Sequence, residues 1–198
     1  MNENIYNQIK EIKKYALDNK VPIMVDDGID FLTEFIVNKQ INSVLEIGSA
    51  IGYSAIMMAL SNPNLKITTV ERDRERYLEA VKNVKKLNLE NQITLIFKDA
   101  FDVYLTEKYD LVFLDAAKGQ NIKFFEKFEK NLNKEGYIIT DNMDFHGLVE
   151  QQDTKDLSRN VRGLIRKINE YTDFLKSHPL YQVEFYKIGD GIAVATKK

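Results

Sequence analysis

Two rhythms of apolar residues alternate along the chain. Short β-branched runs stand between longer stretches in which apolar positions return every three to four residues, so strands should alternate with helices. The first helical stretch covers residues 2–19, where Ile5, Ile9, Ile12 and Ala16 recur. Pro22 marks a connector, because the residue before a proline is driven away from helical angles. Asp27 is the candidate cap of a second helix whose inner face carries Phe31, Leu32, Phe35 and Ile36. Strands are predicted at 44–47, 66–70, 93–97, 109–114 and 136–140. Helices are predicted from Tyr53, over 72–87 and over 120–132. In the last of these, Phe124, Phe125 and Phe128 fall at core spacing. A long helix over 156–176 carries the stripe Leu157, Val161, Leu164, Ile165, Ile168 and Leu175. Pro179 ends it, and 181–188 and 191–196 read as a hairpin turning at Gly189-Asp190.

This order predicts an α/β fold of Rossmann-like type. Its seven-stranded sheet is mostly parallel, closes with an antiparallel C-terminal hairpin, and has helices on both faces. No repeat, low-complexity segment or linker divides the 198 residues, which read as one domain with residues 1–40 as an N-terminal helical extension. That extension is placed to lid a ligand or to build a dimer face.

The first strand carries the first chemistry. Val44-Leu45-Glu46-Ile47 runs into Gly48, turns through Ser49-Ala50-Ile51-Gly52 and restarts as a helix at Tyr53. A strand, glycine turn and helix bring backbone and helix N–H groups up to a ligand. The turn reads G-x-x-x-G, so the dinucleotide fingerprint G-x-G-x-x-G is not met, and no G-K-[ST] follows for a phosphate loop. Glu46 beside the turn favours a ligand with a positive centre or hydroxyls, and S-adenosylmethionine has both. A plain strand-turn-helix with no ligand fits the same residues. Glu71, a little over twenty residues beyond Gly48, ends the second strand where nucleoside-binding α/β folds hold ribose hydroxyls.

Composition narrows the classes. There are no cysteines, which removes disulfides, thiolate catalysis and cysteine-based zinc sites. The formal charge of -2 gives no global basic field for nucleic acid, so any such site must be a local patch. DNA is not expected on the same charge balance, and a membrane partner is not expected because no apolar run approaches spanning length. The polar start lacks a signal-peptide core, which points to a cytoplasmic location.

Acids recur at strand exits: Glu46, Glu71, Asp99, Asp115 and Asp141-Asn142. In an open α/β sheet the ligand crevice lies at those ends. Asp115, Asp141 and Asn142 are hard oxygen donors suited to magnesium, manganese or calcium. Consecutive strand residues point to opposite faces, so Asp141 and Asn142 share an ion only if the strand ends and turns there. The same residues also fit a capped loop and a turn. Lys118 beside such an ion would lose its proton more easily; it also fits a solvated helix start. His146 and His178 have no nucleophile paired with them. Arg159, Arg162 and Arg166 share one face of the long helix, nearly opposite its apolar stripe. That face suits phosphates, although Asp153, Asp156, Glu170 and Asp173 nearly cancel the local charge.

The succession LEIGSAIGYSA, VERD, KDA, LDAAKGQ and TDN followed by GLV resembles the cation-dependent O-methyltransferases, which include catechol and caffeoyl-CoA methyltransferases. VPIM, LDAAKGQ, the arginine-bearing helix ending in INEY, SHPLYQ and GDGIAVA are similar to the bacterial branch that methylates 5-hydroxyuridine at the tRNA wobble position. The resemblance implies S-adenosylmethionine as methyl donor, with Met24, Glu46, Gly48 and Ser54 lining its pocket and Glu71 on the ribose. Asp99 and Ala100 would border the adenine, with a backbone contact at Lys98, where relatives often have glycine. It implies Mg2+ on Asp115, Asp141 and Asn142, with Asp115 also facing the donor and Lys118 as the candidate base. It implies a homodimer, and the anticodon loop of tRNA held by Arg159, Arg162 and Arg166. The chemistry-choosing acids would then stand two strands away from the donor turn. A small-molecule catechol-type methyltransferase and a catalytically silent donor-binding module are the alternatives.

Overall fold

The computed structural model describes residues 3–144 and 157–198, apart from the side chain of Lys118. Helices α1 (Glu3–Asp18) and α2 (Asp26–Asn38) precede a regular alternation. It runs β1 (Ser43–Ile47), α3 (Tyr53–Ser61), β2 (Lys66–Glu71), α4 (Arg74–Lys86), β3 (Ile93–Phe97), β4 (Tyr109–Leu114), α5 (Asn121–Phe128) and β5 (Leu132–Asp141). Helix α6 (Arg159–Ser177) and the hairpin β6 (Tyr181–Tyr186) and β7 (Ile192–Lys197) complete the chain.

The seven strands stand in the order β3-β2-β1-β4-β5-β7-β6. The first five pair in parallel, and β7 runs antiparallel between β5 and β6. From β1 the chain winds outward to β2 and β3, then returns to lay β4 on the other side of β1. Ligands bind at such switch points, because the flanking connections leave in opposite directions and open a crevice.

Side-chain alternation puts a core on each face of the sheet. In β4, Leu111 and Phe113 enter one cluster while Val112 and Leu114 enter the other. The first cluster holds Ile9, Ile12 and Ala16 of α1, Ile29, Leu32 and Ile36 of α2, and much of α3. The N-terminal extension is therefore part of the core, and burying each such isoleucine or leucine contributes about 1.5–3 kcal/mol. The second cluster holds Phe124, Phe125 and Phe128 of α5 with Tyr171 and Leu175 of α6. At the sheet end away from the crevice, Asp110 Oδ2 accepts from the backbone N–H groups of Asn42 and Ser43, each at 3.0 Å, and pins β4 to the start of β1. Burial raises the pKa of Asp110, but the hydrogen bonds from Asn42, Asn133 and Ser43 outweigh it and hold the group below its ordinary value.

Several boundaries differ from the sequence expectation. Asp27 does not cap α2; Val25 occupies the N-cap with no side-chain bond, and Asp26 and Asp27 lie in the first turn, favoured there by the helix dipole. Asp73 caps α4 by accepting from the Arg76 N–H, so that helix starts later than residue 72. Helix α5 gives way to a 3-10 turn at Glu129–Asn131, and β5 already begins at Leu132, paired with Tyr109 across a register shift. Ser158 caps α6; the expected start at Asp156, together with Asp153, His146 and Gly147, lies outside the described residues. The hairpin does not turn tightly at Gly189-Asp190. Tyr186 pairs with Ile192, so residues 187–191 form the connection, with Gly189 and Gly191 both at positive φ.

Candidate functional site

A cleft of about 670 Å³ lies at the carboxyl ends of the parallel strands. Met24, Gly48, Ser54, Glu71, Lys98, Asp99, Ala100, Asp115, Asp141 and Asn142 all line it. The residues singled out at the strand exits are thus brought to one cleft, with a single exception.

That exception is Glu46. Its side chain is fully buried and is absent from the lining. Val44 points into the α1–α3 core and Leu45 into the opposite one, so Glu46, two residues beyond Val44, faces α3 rather than the crevice. The hydroxyls of Ser54 and Thr69 each donate to one of its carboxylate oxygens, both at 2.5 Å. Glu46 therefore braces Ser54, which does reach the cleft. Burial pushes its carboxyl up to about 7; the two hydroxyls pull the other way, and Glu71 adds a smaller upward push. The folded state then holds a proton that the unfolded chain has released between about pH 4.5 and 7. Stability from this group is complete below the lower value and lost as pH rises through the upper one. Glu46→Gln cannot ionise. In urea denaturation of the ligand-free protein it should match the parent near pH 4.5 and exceed it at pH 8 by about 3 kcal/mol. A variant less stable than the parent at pH 8 would refute this account.

The glycine turn is pressed against the next strand of the sheet. Gly48 has φ +100, and a Cβ there would lie 2.3 Å from the carbonyl oxygen of Asp115. The Asp115 N–H donates to Ile47 O at 3.0 Å, and the Gly48 N–H donates to Val70 O at 2.9 Å. Asp115 is therefore not two strands away from the turn: β4 is the immediate neighbour of β1. Gly52, with φ +81, occupies the N-cap of α3 without a side-chain bond.

Glu71 is held by three backbone donors. Its Oε1 accepts from Arg72 N and Asp73 N, each at 2.8 Å, and Oε2 accepts from Ala50 N at 2.9 Å. One carboxylate thus ties the end of β2 to the glycine turn. A carboxylate offers roughly four acceptor positions, which leaves room for a ligand hydroxyl. Asp99 accepts from Phe101 N at 2.9 Å and pairs with Arg72 at 3.3 Å. Lys98 is tied to Glu71 through its backbone N–H.

At the other side stand Asp115, Asp141 and Asn142. Strand β5 ends at Asp141, and Asn142 takes a left-handed backbone at φ 65. The chain turns where it must for consecutive residues to face one cleft. The Asn142 amide donates to Asp141 Oδ2 at 2.8 Å, which places both side chains together. Two carboxylates and an amide, all hard donors on one wall, fit a small divalent cation with open positions for water or substrate. No group of three or more acids, histidines or cysteines is arranged for a metal among the described residues. The set depends on Asn142 as its third member.

Lys118 begins the 3-10 turn Lys118–Gln120, whose Gln120 lines the cleft. Arg159, Arg162 and Arg166 lie on α6 away from the lining, where Arg166 pairs with Glu170 at 3.5 Å. His178 packs within an aromatic group of Phe125, Phe174 and Tyr181. Ser49, Tyr53 and Asp190 also line the cleft, although nothing in the sequence marked them as site residues. Ser49 is 2% exposed, and its hydroxyl has no hydrogen-bond partner among the described residues. Tyr53 is buried at the start of α3, where only its helical position was legible. Asp190 looked like a turn residue, because the flanking glycines were the only signal.

A strand order with the switch at β1 and β4, a glycine turn there, and acids along the opposite wall define a Rossmann-like methyltransferase fold. The O-methyltransferase family model matches residues 2–198, and the chain belongs to that family. It is 28% identical over 192 residues to a caffeoyl-CoA O-methyltransferase homologue of Arabidopsis thaliana, covering 94% of this chain and 82% of the other. It is 28% identical over 198 residues to a flavonoid 3',5'-methyltransferase of Vitis vinifera, covering 94% and 83%. Among solved structures, a Staphylococcus aureus protein provisionally named a caffeoyl-CoA O-methyltransferase superposes with TM-score 0.90 at 34% identity, over 96% of this chain and 92% of that one. Among the described residues no helix is long and apolar enough to cross a membrane.

Proposed function

We propose that this chain is an S-adenosylmethionine- and divalent-cation-dependent O-methyltransferase whose acceptor is 5-hydroxyuridine at the wobble position of tRNA, giving 5-methoxyuridine. The observation that carries the methyl-transfer reading is the contact of Gly48 with Asp115, which sets the donor turn directly beside the acids at the acceptor side. Structures of the same fold from Bacillus cereus and Streptomyces achromogenes are described as complexes with SAH and SAM, at 22% and 19% identity. On this reading Glu71 and Asp99 hold the nucleoside end of the donor, and Ser54 and Ser49 lie along its amino-acid end. Asp115, Asp141 and Asn142 would hold Mg2+, which when bound supplies positive charge that stabilises an acceptor oxyanion. The protein's own part is alignment. The Gly48–Asp115 packing fixes where the donor meets the acceptor, and such positioning accounts for much of the rate in group transfer. The acceptor O–H bond breaks, its oxygen bonds the methyl carbon, and the carbon–sulfonium bond opens. Lys118 is the candidate to take the proton.

The acceptor assignment draws on the resemblance and on the α6 arginines. Their side stands opposite the face that buries Ile165, Ile168 and Leu175. Phosphates of an anticodon loop suit such a row, and a splayed base then enters the cleft. The test is mass analysis of nucleosides after incubation with S-adenosylmethionine, magnesium and tRNA carrying 5-hydroxyuridine. Converting Arg159, Arg162 and Arg166 to alanine should slow tRNA methylation at least tenfold and reduce the log–log salt slope by about 2, as three lost single-strand phosphate contacts predict. Unchanged tRNA turnover in that variant, with efficient methylation of a free catechol, would move the protein to the second reading. The caffeoyl-CoA and flavonoid enzymes among the relatives favour that reading, a catechol-type small-molecule methyltransferase.

A further inference from the structure

Residues 187–191, between β6 and β7, touch both walls of the cleft. On one side lies the α2 start. A Cβ added at Gly189 would lie 2.7 Å from Val25 Cγ2 and 3.5 Å from the backbone nitrogen of Gly28. Gly28 is in turn covered by Met24: a Cβ there would meet Met24 Cε at 2.9 Å. Met24 and Val25 are lining residues, so the turn backs the wall that the N-terminal connector forms. On the other side lies the segment just past β5. Met143 N–H donates to Gly191 O at 2.9 Å, and Asp144 N–H donates to Asp190 O at 2.8 Å. A Cβ at Gly191 would sit 2.6 Å from Asp144 N. These bonds extend the β5–β7 ladder, whose last pair is Asp141 with Ile192, past the point where Asn142 turns out of the strand. Both glycines have positive φ, +56 and +85, which a side chain would resist even without the contacts. Asp190, between them, lines the cleft itself.

We propose that this turn is a positioning clasp: it sets the spacing between the Met24–Val25 wall and the Asp141–Asn142 corner, so that movement at one is transmitted to the other. The assignment of those walls to donor and cation rests on the function proposed above; the mechanical coupling does not. Gly189 is the residue that seats the clasp on α2, and Gly191 the one that seats it on the β5 exit. Both are positioning residues, acting through Met24 and through Asp141 and Asn142.

Hydrogen exchange reads the coupling without ligand. The three atoms nearest the methyl of Gly189→Ala all lie on the α2 side, yet the substitution should speed exchange of the Met143 and Asp144 amides at least tenfold while amides in β1 and β4 keep their protection. Adding Val25→Ala removes the 2.7 Å contact and should return those two amides toward the parent rate. A Gly189→Ala protein with parent-like exchange at Met143 and Asp144 overturns the clasp. So does one in which all amides accelerate together, or one that Val25→Ala does not rescue. A second arm adds S-adenosylhomocysteine to the parent protein, which should slow exchange at Met143 and Asp144, an effect that Gly189→Ala abolishes. If S-adenosylhomocysteine fails to bind the parent, the donor reading falls while the ligand-free arm still decides the clasp. If it binds but leaves those amides unchanged, the clasp falls and the donor reading stands.

Discussion

Gly48→Ala is expected to be the most damaging small substitution in the chain. Its Cβ would enter 2.3 Å from the carbonyl oxygen of Asp115, 2.9 Å from that residue's carbonyl carbon and 3.2 Å from Ala116 Cα. All three are backbone atoms just past β4, anchored to β1 by the Asp115 N–H bond to Ile47 O, so no side chain can swing aside. The backbone there has φ +100, which adds strain for any side chain. Overpacking and strain together should cost about 3 kcal/mol or more. If the protein stays folded, β4 must shift at its exit, and Asp115 with it, so donor affinity and turnover should both collapse. Gly52→Ala is the control. It also has positive φ, +81, but its Cβ meets only Ala80, at 3.3 Å from Cβ and 3.5 Å from Cα. It should cost about 1 kcal/mol, near the ordinary price of placing alanine in a glycine conformation. Urea denaturation of both, with S-adenosylhomocysteine titration of whichever folds, checks the ranking. Equal effects would show that the Gly48–Asp115 contact does not set the geometry.

Asp141→Ala is expected to separate binding from chemistry. Asp141 is 5% exposed, ends β5 and accepts the Asn142 amide. It lies on the side of the cleft with Asp115 and Asn142, whereas Glu71 and the glycine turn form the other. Removing it takes away a donor oxygen of the proposed cation site and the partner that orients Asn142. Turnover should fall by about 100-fold or more, the usual scale for losing a preorganised electrostatic stabiliser. Affinity for S-adenosylhomocysteine, measured by calorimetry, should change by less than about threefold, since that contact set is untouched. Chelation of divalent ions should produce the same split in the parent protein and little further loss in the variant. Turnover that survives chelation would sink the cation mechanism, and matched losses of binding and turnover would mean that Asp141 supports the donor site instead.

The pattern of strands and helices was legible because each element announces its period, and the acids at the strand exits were legible because such exits share one edge. Lining by Gly48, Glu71 and Asp99 follows from that edge, whereas lining by Met24 and Ser54 is what the family resemblance implies. Glu46 did not follow the same logic. Its place at a strand exit is plain in the sequence, but period-2 alternation does not say which face meets the crevice, and Glu46 faces α3. Asn142 went the other way. Side-chain alternation requires the strand to end and turn there if Asp141 and Asn142 are to face one cleft, and the left-handed backbone meets that condition. The hairpin looked like a two-residue turn because Gly-Asp-Gly is a strong local signal; packing against Val25 and the Asp144 amide draws out residues 187–191 instead.

By itself the sequence determined which residues are strands, which are helices, and that carboxylates end the parallel strands. Those are local properties, set by side-chain period and by backbone preference. Only the tertiary structure decided which strands are neighbours. Chain order puts Asp115 three strands after Gly48, whereas sheet order lays β4 directly on β1 and brings the Asp115 carbonyl against Gly48 with no room for a methyl group. The reason is burial: Leu111 and Phe113 on one face and Val112 and Leu114 on the other leave β4 no solvent-facing side, so it takes a central position in the sheet. A central β4 beside β1 creates the switch point, and the switch point is where the glycine turn and the acids meet.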